Sequence, residues 1–256
     1  MVAVAYPGAR AIRTRGITST DRNGPMPVRP LALLGALLTL SATSLRAQPS
    51  RYPPIDRYLM PRAAEIALAR TAAPPSISDH ATIKVLTRSG FKVVQQGENG
   101  TVCMVMRGFS APTYTPAQFR DLVYDATVRA PICFTAPAAK VAMPYYELRT
   151  TLALAGKDPA QIASAVKAAY ASGKLPRRDG VTMAYMWSAH QHLGSGINAW
   201  HPHVMLFAPN YDNAMVGGNA FGSAMPQLTD DAGTPFSVVV IPVDDALAIH
   251  LPTAAR

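Results

Sequence analysis

The sequence predicts a single α+β domain, a mainly antiparallel sheet of five or six strands with helices packed on one face. Short runs rich in β-branched and aromatic residues, bounded by glycine and proline turns, occur in the first and last thirds of the domain. Alanine-rich segments with helical spacing lie between them. Hydrophobic residues make up 49% of the 256 residues and charged residues only 15%, so the chain has enough apolar material for a packed core.

The amino end of the chain has the pattern of a secretory signal peptide. Residues 26–47 combine a basic start at Arg29, an apolar run of about ten residues and small residues before a predicted cleavage near position 47. Such a run is about half of what a bilayer-spanning helix needs, so we expect no membrane span after signal cleavage. We assign residues 1–47 to an N-terminal extension and signal peptide, with Met1 or Met26 as the first residue, and expect a secreted or periplasmic protein. A buried apolar helix of the mature fold is the alternative interpretation.

A proline-rich lead-in and one helix open the mature chain. Residues 48–56 are expected to be extended and poorly packed. The domain itself, at 57–256, begins with a strong helix-forming segment at 63–70, which Pro74 and Pro75 end.

Three short strands are predicted next, at 81–87, 91–96 and 101–107. The second connection contains Asn99-Gly100, a dipeptide that accepts positive φ in tight hairpins. Because each run is joined to the next by only a few residues, we expect an antiparallel meander.

The two cysteines of the chain, Cys103 and Cys133, are predicted to form a disulfide. An even cysteine count in an exported chain favours such a bond, and two separate buried thiols are the alternative. Residues 108–137 contain several prolines and are expected to be irregular. The disulfide would tie this long connection to the meander.

Two helices and three further strands complete the predicted fold. The helices are expected at 138–155 and 159–171, the second with Asp158 as N-cap and Pro159 in its first turn. The strands are expected at 181–187, 203–208 and 236–243.

Four of the six histidines lie within fourteen residues, in two His-X-His pairs. Side chains two positions apart on an extended strand share a face, which suits metal capture by a pair of imidazoles. Imidazole nitrogens bind zinc and copper, so the cluster predicts a Zn or Cu site; solvated or structural histidines are the alternative. The candidate ligands are His201 and His203 first, then His190 and His192, with Asp212 or Glu147 as an oxygen partner.

Charge and motifs exclude several classes of function. Of the formal charge of +9, residues 1–47 hold six arginines against one aspartate, and the remaining +4 is scattered, so no nucleic-acid partner is expected. The chain has no HExxH, no GxSxG and no dinucleotide-binding fingerprint. Asp244 and Asp245 are predicted to cap backbone groups rather than to act as general acid and base.

Two functions remain open. The first is a binding domain, in which an unknown small ligand or a cell-envelope partner contacts a surface formed by Trp187, Trp200, His201 and His203. Aromatic and histidine side chains suit this role because they offer apolar area with a polar group. The second is a metal-dependent enzyme, with hydrolysis as the expected reaction, in which a histidine-bound zinc or copper ion activates water. The sequence assigns no catalytic residue.

Four sequence patterns together resemble a group of exported bacterial proteins of uncharacterised function. They are AEIALARTAAPP at 64–75, NGTVC at 99–103, PIC at 131–133 and WHPH at 200–203. The resemblance covers most of residues 55–243 and implies export and a single domain. It implies no activity, ligand or catalytic residue.

Overall fold

The computed structural model describes residues 53–110, 125–194, 201–220 and 223–252. Within these ranges the chain forms five α-helices and one sheet of eight strands. The predicted signal segment, the first five residues of the lead-in and Trp200 lie outside the described residues. None of the helices in the described ranges has the length and apolar character that crossing a bilayer requires.

Four of the five helices lie close to where the sequence predicts helices, whereas the helix at Pro75–Ser78 was not predicted. In α5, Asp158 is the N-cap: its side chain accepts a hydrogen bond from the Gln161 backbone, and the Gln161 side chain accepts one from the Asp158 backbone. The helix predicted at 138–155 is divided into α3 and α4, because Pro144 has no N–H to continue the helical ladder. The helices are α1 (Arg62–Arg70), α2 (Pro75–Ser78), α3 (Ala136–Val141), α4 (Met143–Leu154) and α5 (Pro159–Ala171).

The sheet is mixed but mainly antiparallel, and its strand order is β2-β1-β3-β4-β5-β6-β8-β7. The α+β class is confirmed, whereas the predicted count of five or six strands is wrong. The two additional strands are β4, which falls in the segment predicted to be irregular, and β7. The strands are β1 (Thr82–Thr87), β2 (Gly90–Gln95), β3 (Val102–Met106), β4 (Ala130–Phe134), β5 (Thr182–Met186), β6 (His203–Phe207), β7 (Gln227–Asp230) and β8 (Val238–Pro242).

The predicted meander is only half correct. β1 and β2 form the expected hairpin, but β3 pairs with β1 in parallel, with Thr82 opposite Val102. The connection from β2 folds back over the start of β1, where the backbone N–H groups of Glu98 and Asn99 donate to the carbonyl of His80. Crossing β1 in this way carries the chain to the side of β1 away from β2.

The core occupies both faces of the sheet, which corrects the expectation of helices on one face. On one face, α3, α4 and α5 cover a large apolar cluster that includes Met104, Ile132, Phe134, Tyr146 and Phe207. On the other face, α1 packs mainly against β1, β3 and β4. Its cluster is smaller and includes Leu68, Ala69, Ile83, Val105 and Cys133.

The predicted disulfide is confirmed. Cys103 on β3 and Cys133 on β4 stand directly opposite each other, with Cα atoms 4.0 Å apart and both side chains buried beneath α1. This close spacing is typical of a non-hydrogen-bonded pair in an antiparallel ladder, the position where side chains of neighbouring strands approach each other most closely. The bond therefore joins the second half of the sheet to the first.

Candidate functional site

Most residues that the sequence nominates lie at one end of the sheet. β5 ends at Met186, β6 begins at His203 and β8 ends at Pro242, and these three residues stand side by side in the ladder. We call this edge, with the segments that enter and leave it, the histidine end. It brings together the 187–192 and 201–203 segments, which are separate in the sequence.

Pro131 explains why the chain leaves the ladder at this end. β4 and β5 pair only at Cys133–Tyr185 and Phe134–Ala184, and Pro131, two residues from Cys133, has no N–H to donate. Pairing resumes where Arg129 and His192 exchange two backbone hydrogen bonds of 2.7 and 2.9 Å. Between these pairings the β5 chain advances seven residues, from Tyr185 to His192, whereas the β4 chain advances four, from Cys133 to Arg129, so the β5 chain has three extra residues in a large bulge. We call this segment the 187–192 bulge.

The 187–192 bulge is anchored by groups from other elements. The backbone N–H of Trp187 donates to the carbonyl of Ala72, and the carbonyl of Trp187 accepts from the N–H of Ile249. The buried hydroxyls of Ser188 and Thr71 lie 2.6 Å apart. The bulge is thus held between the end of α1 and the carboxyl-terminal part of the domain.

Three buried polar atoms of this bulge have no hydrogen-bond partner among the described residues. They are Nε1 of Trp187, Oε1 of Gln191 and Nδ1 of His192. The amide nitrogen of Gln191, by contrast, donates to the carbonyls of Met186 and Ser188. An unsatisfied buried polar atom costs about 1–3 kcal/mol, so three such atoms within six residues require a structural or functional reason.

His203 is a buried, neutral histidine. Its side chain lies on the face covered by α3–α5, and the residue is 2% exposed. Its Nδ1 lies 2.8 Å from the carbonyl of His201, so Nδ1 carries the proton and donates. Burial lowers the pKa of His203 to about 4, with the backbone hydrogen bond opposing this effect and the nearby His201 adding to it.

His201 is half-exposed and is held by a carboxylate. Its Nδ1 lies 2.7 Å from Oδ1 of Asp245, which belongs to the short 3-10 helix Asp245–Leu247. Asp244 caps that helix by accepting from the N–H of Ala246, which confirms the predicted capping role for Asp244. Asp245 instead orients an imidazole.

The other two candidate histidines face different partners. His190 is exposed, its Nε2 accepts from the backbone N–H of Leu251, and its ring contacts that of His250 at a centroid distance of 5.7 Å. His192 is fixed through its backbone to Arg129. The four candidate histidines therefore make four different sets of contacts.

The described residues do not bring a metal-ligand set together. In the described ranges, which contain all four histidines, no three His, Cys, Asp or Glu side chains are grouped so that they could hold an ion. Glu147 pairs with Lys84 of β1, and three strands separate β1 from β6. Asp212 follows the opposite end of β6, where it caps the N–H of Met215. Neither carboxylate is at the histidine end.

Trp187 and His203 lie at the same end of the sheet but on opposite faces. The ring of Trp187 packs edge-on against Tyr185 at 5.7 Å, and Tyr185 contacts the cluster covered by α1. His203 pairs with Met186 and points to the other face. The proposed contact surface therefore divides into a tryptophan side and a histidine side, and Trp200 is outside the described residues.

A buried charge cluster borders the tryptophan side. Continuing the β3–β4 register by one step places Arg107 opposite Arg129. Glu65 of α1 pairs with Arg107, and both side chains are fully buried. Burial lowers the pKa of Arg129, which Glu65 and Asp125 counteract. Nη1 of Arg129 donates to two nearby carbonyls of its own segment.

Sequence reasoning missed several residues at this end. Gln191 stands between two nominated histidines, and Asp245 was assigned to backbone capping alone. Glu65 could have been found from the sequence. A single carboxylate on the apolar side of an alanine-rich helix indicates a buried ion pair, because a buried charge needs a partner. Arg107 and Arg129 give no signal in the sequence, because their proximity depends on the strand β4.

Comparisons with protein-family models, with curated proteins and with solved structures give no match to this chain.

Proposed function

We propose that the chain is an exported protein, secreted or periplasmic, whose domain binds a small polar ligand at the 187–192 bulge. The observation that supports this proposal is that three buried polar atoms within six residues have no hydrogen-bond partner in the described part of the chain. A ligand with both donor and acceptor groups would satisfy them, since the indole N–H donates, the Gln191 oxygen accepts and the His192 nitrogen does either according to its tautomer. β-Bulges are frequent next to active sites, where they change the direction of a side chain.

The location of the bulge supports a rigid site. Its backbone is bonded to Ala72, Arg129 and Ile249, each on a different segment, so the backbone is held in place and only side chains would have to move to meet a ligand. Preorganised groups lose less conformational entropy on binding than mobile ones. The disulfide on the neighbouring strands and the predicted signal peptide support an extracytoplasmic location.

The test is a thermal-shift screen of the purified mature chain with sugars, amino acids and short peptides, the polar small molecules of a cell envelope. We expect at least one compound to raise the melting temperature, and the shift to be lost in Trp187→Phe, which keeps an aromatic ring and removes the N–H. Tyr185→Phe, whose ring contacts Trp187, is the matched control and should keep the shift. A screen without any stabilising compound, or equal shifts in both variants, would count against the proposal.

A metal-dependent hydrolytic enzyme is the second candidate, and the His201–Asp245 contact favours it. A metal-ligating histidine commonly bonds a carboxylate through its other ring nitrogen, and Asp245 holds Nδ1 of His201 in that manner. Metal analysis of dialysed, untagged protein tests this candidate. Stoichiometric zinc or copper that is lost in His201→Ala supports it, and less than stoichiometric metal after saturation excludes it.

A further inference from the structure

The molecule has a cavity that shares no lining residue with the 187–192 bulge. It is a cavity of about 410 Å³ beside the segment that leads into α1. Small-molecule sites occupy about 300–1,000 Å³ and are lined mostly by apolar side chains. Its walls come from Pro54 and Ile55, from Tyr58, from Phe109 after β3, and from Ala153 and Leu154 at the end of α4.

The cavity has a buried, ordered floor and an open rim. The rings of Tyr58 and Phe109 pack edge-to-face with centroids 4.8 Å apart, and each residue is 1% exposed. Pro54 and Gly156 at the rim are exposed. Gly156 adopts φ +75°, which lets the chain turn away directly after α4. The cavity is therefore open at its rim, and two almost completely buried aromatic rings lie beneath it.

The chemistry of the lining is apolar. Its described residues are aliphatic and aromatic residues together with proline and glycine, and none of them has a charged side chain. A buried charge touches one lining residue from behind: Nε of Arg107 donates to the backbone carbonyl of Tyr58. That guanidinium is paired with Glu65 and also donates to the carbonyl of Val105, so its charge is already compensated.

We propose that this cavity binds a small molecule with an uncharged, apolar body, such as an alkyl chain or an aromatic ring. An apolar ligand gains about 25 cal/mol for each Å² of apolar surface removed from water, and this cavity offers contacts on three sides. A ligand with a buried charge would find no counter-ion among the lining residues and would lose its hydration energy. The site is independent of the bulge, since the two share no lining residue.

The first experiment measures binding of Nile red to the mature chain by fluorescence, with competition by 1-decanol. We expect saturable binding that 1-decanol reverses. Leu154→Trp fills the cavity from α4 and should weaken binding by at least about tenfold, which corresponds to 1.4 kcal/mol. Ser164→Trp places the same side chain at an exposed position of α5, a helix that contributes none of the described lining residues, and should bind as the unmodified chain does. Pro54→Trp at the exposed rim provides a second filling variant if Leu154→Trp does not fold.

A second measurement does not depend on any variant. A benzophenone probe with an alkyl tail is photolysed with the protein, and the labelled peptides are identified by mass spectrometry. Labels within 53–58, 107–110 or 153–156 support the proposal. Labels at 187–192, or Nile red binding that is unchanged in both filling variants, would overturn it without affecting the polar-ligand proposal. Trp187→Phe should leave Nile red binding unchanged.

Discussion

Glu65 and Arg107 form an ion pair in which both side chains are fully buried, with Nη2 of Arg107 3.0 Å from Oε1 of Glu65. The same carboxylate oxygen accepts from the backbone N–H of Leu86, and Arg107 donates to the carbonyl of Tyr58. Burial lowers the pKa of Arg107 to about 10, against the attraction of Glu65, so the guanidinium stays charged at neutral pH. The pair ties α1 to β1, to the end of β3 and to the lead-in.

Removal of one partner of this pair should be strongly destabilising. Arg107→Met leaves the Glu65 carboxylate buried without a counter-charge, and breaking a buried pair in this way costs about 3–5 kcal/mol. The free energy of unfolding, measured by urea titration with circular dichroism, should fall by that amount. In the Glu65→Leu/Arg107→Met double variant the loss should be smaller than the sum of the two single losses, because no charge is left uncompensated.

The exposed pair of Arg88 and Asp56 supplies the matched control. Both side chains are more than 60% exposed, so Arg88→Met should change the free energy of unfolding by less than about 1 kcal/mol. If Arg107→Met and Arg88→Met lower the free energy of unfolding equally, the buried pair contributes no more to stability than the exposed one.

The disulfide should contribute measurably to stability. Cys103 and Cys133 are 30 residues apart, and in the chain-entropy model closing such a loop contributes about 3–4 kcal/mol. Urea titrations with and without a phosphine reductant should show this loss for the natural chain. The Cys103→Ala/Cys133→Ala variant should be insensitive to reductant. A natural chain whose midpoint is unchanged, although thiol titration shows full reduction, would disprove the expected contribution.

The sequence predicts those elements of the fold whose signals lie within the element itself, and it fails for elements that depend on tertiary contacts. Asp158 and Pro159 start α5 as predicted, because N-cap chemistry is local. β4 was missed because Pro131 and its neighbours indicate irregular structure, whereas in the sheet all five residues of the strand are buried between β3 and β5. Tertiary burial overrides the local preference there. The parallel pairing of β3 with β1 was missed for the related reason that short connections favour hairpins.

The candidate site, too, is predictable where local signals determine it and unpredictable where it depends on tertiary structure. The sequence places Trp187 and the histidines at strand ends, and the structure brings their segments to one end of the sheet. Which face each side chain occupies depends on register, so the separation of Trp187 from His203 was not predictable. The cavity beside Tyr58 and Phe109 was missed because the lead-in was expected to be poorly packed, whereas its residue Ile55 packs against the main core, to which Tyr58 belongs.

Gly97 should be intolerant of any side chain. The residue lies against the start of β1, and a Cβ at this position would overlap backbone atoms of His80, Ala81 and Thr82, which cannot move independently of the strand. Gly97→Ala should therefore lower the free energy of unfolding by about 2 kcal/mol or more. Gly180→Ala is the control, since a Cβ there meets open space, and it should stay within about 0.5 kcal/mol of the natural chain. Urea midpoints of the two variants provide the comparison, and similar midpoints would contradict the close crossing of β1.

His203 should make the domain sensitive to acid. Its pKa is lowered to about 4 in the folded protein by burial, whereas an unfolded histidine has a pKa of about 6.5. As pH falls through this interval, the unfolded chain takes up a proton before the folded chain does, so the contribution of neutral His203 to stability is complete above about pH 6.5 and is lost progressively towards pH 4. The loss integrates to about 3 kcal/mol.

The His203→Gln variant tests this expectation. Its amide keeps a donor for the carbonyl of His201 and does not titrate, so its free energy of unfolding should vary less between pH 6.5 and 4. His80→Gln, the same substitution at an exposed position, is the matched control. If His203→Gln and His80→Gln show the same slope of unfolding free energy against pH, His203 is not the group responsible.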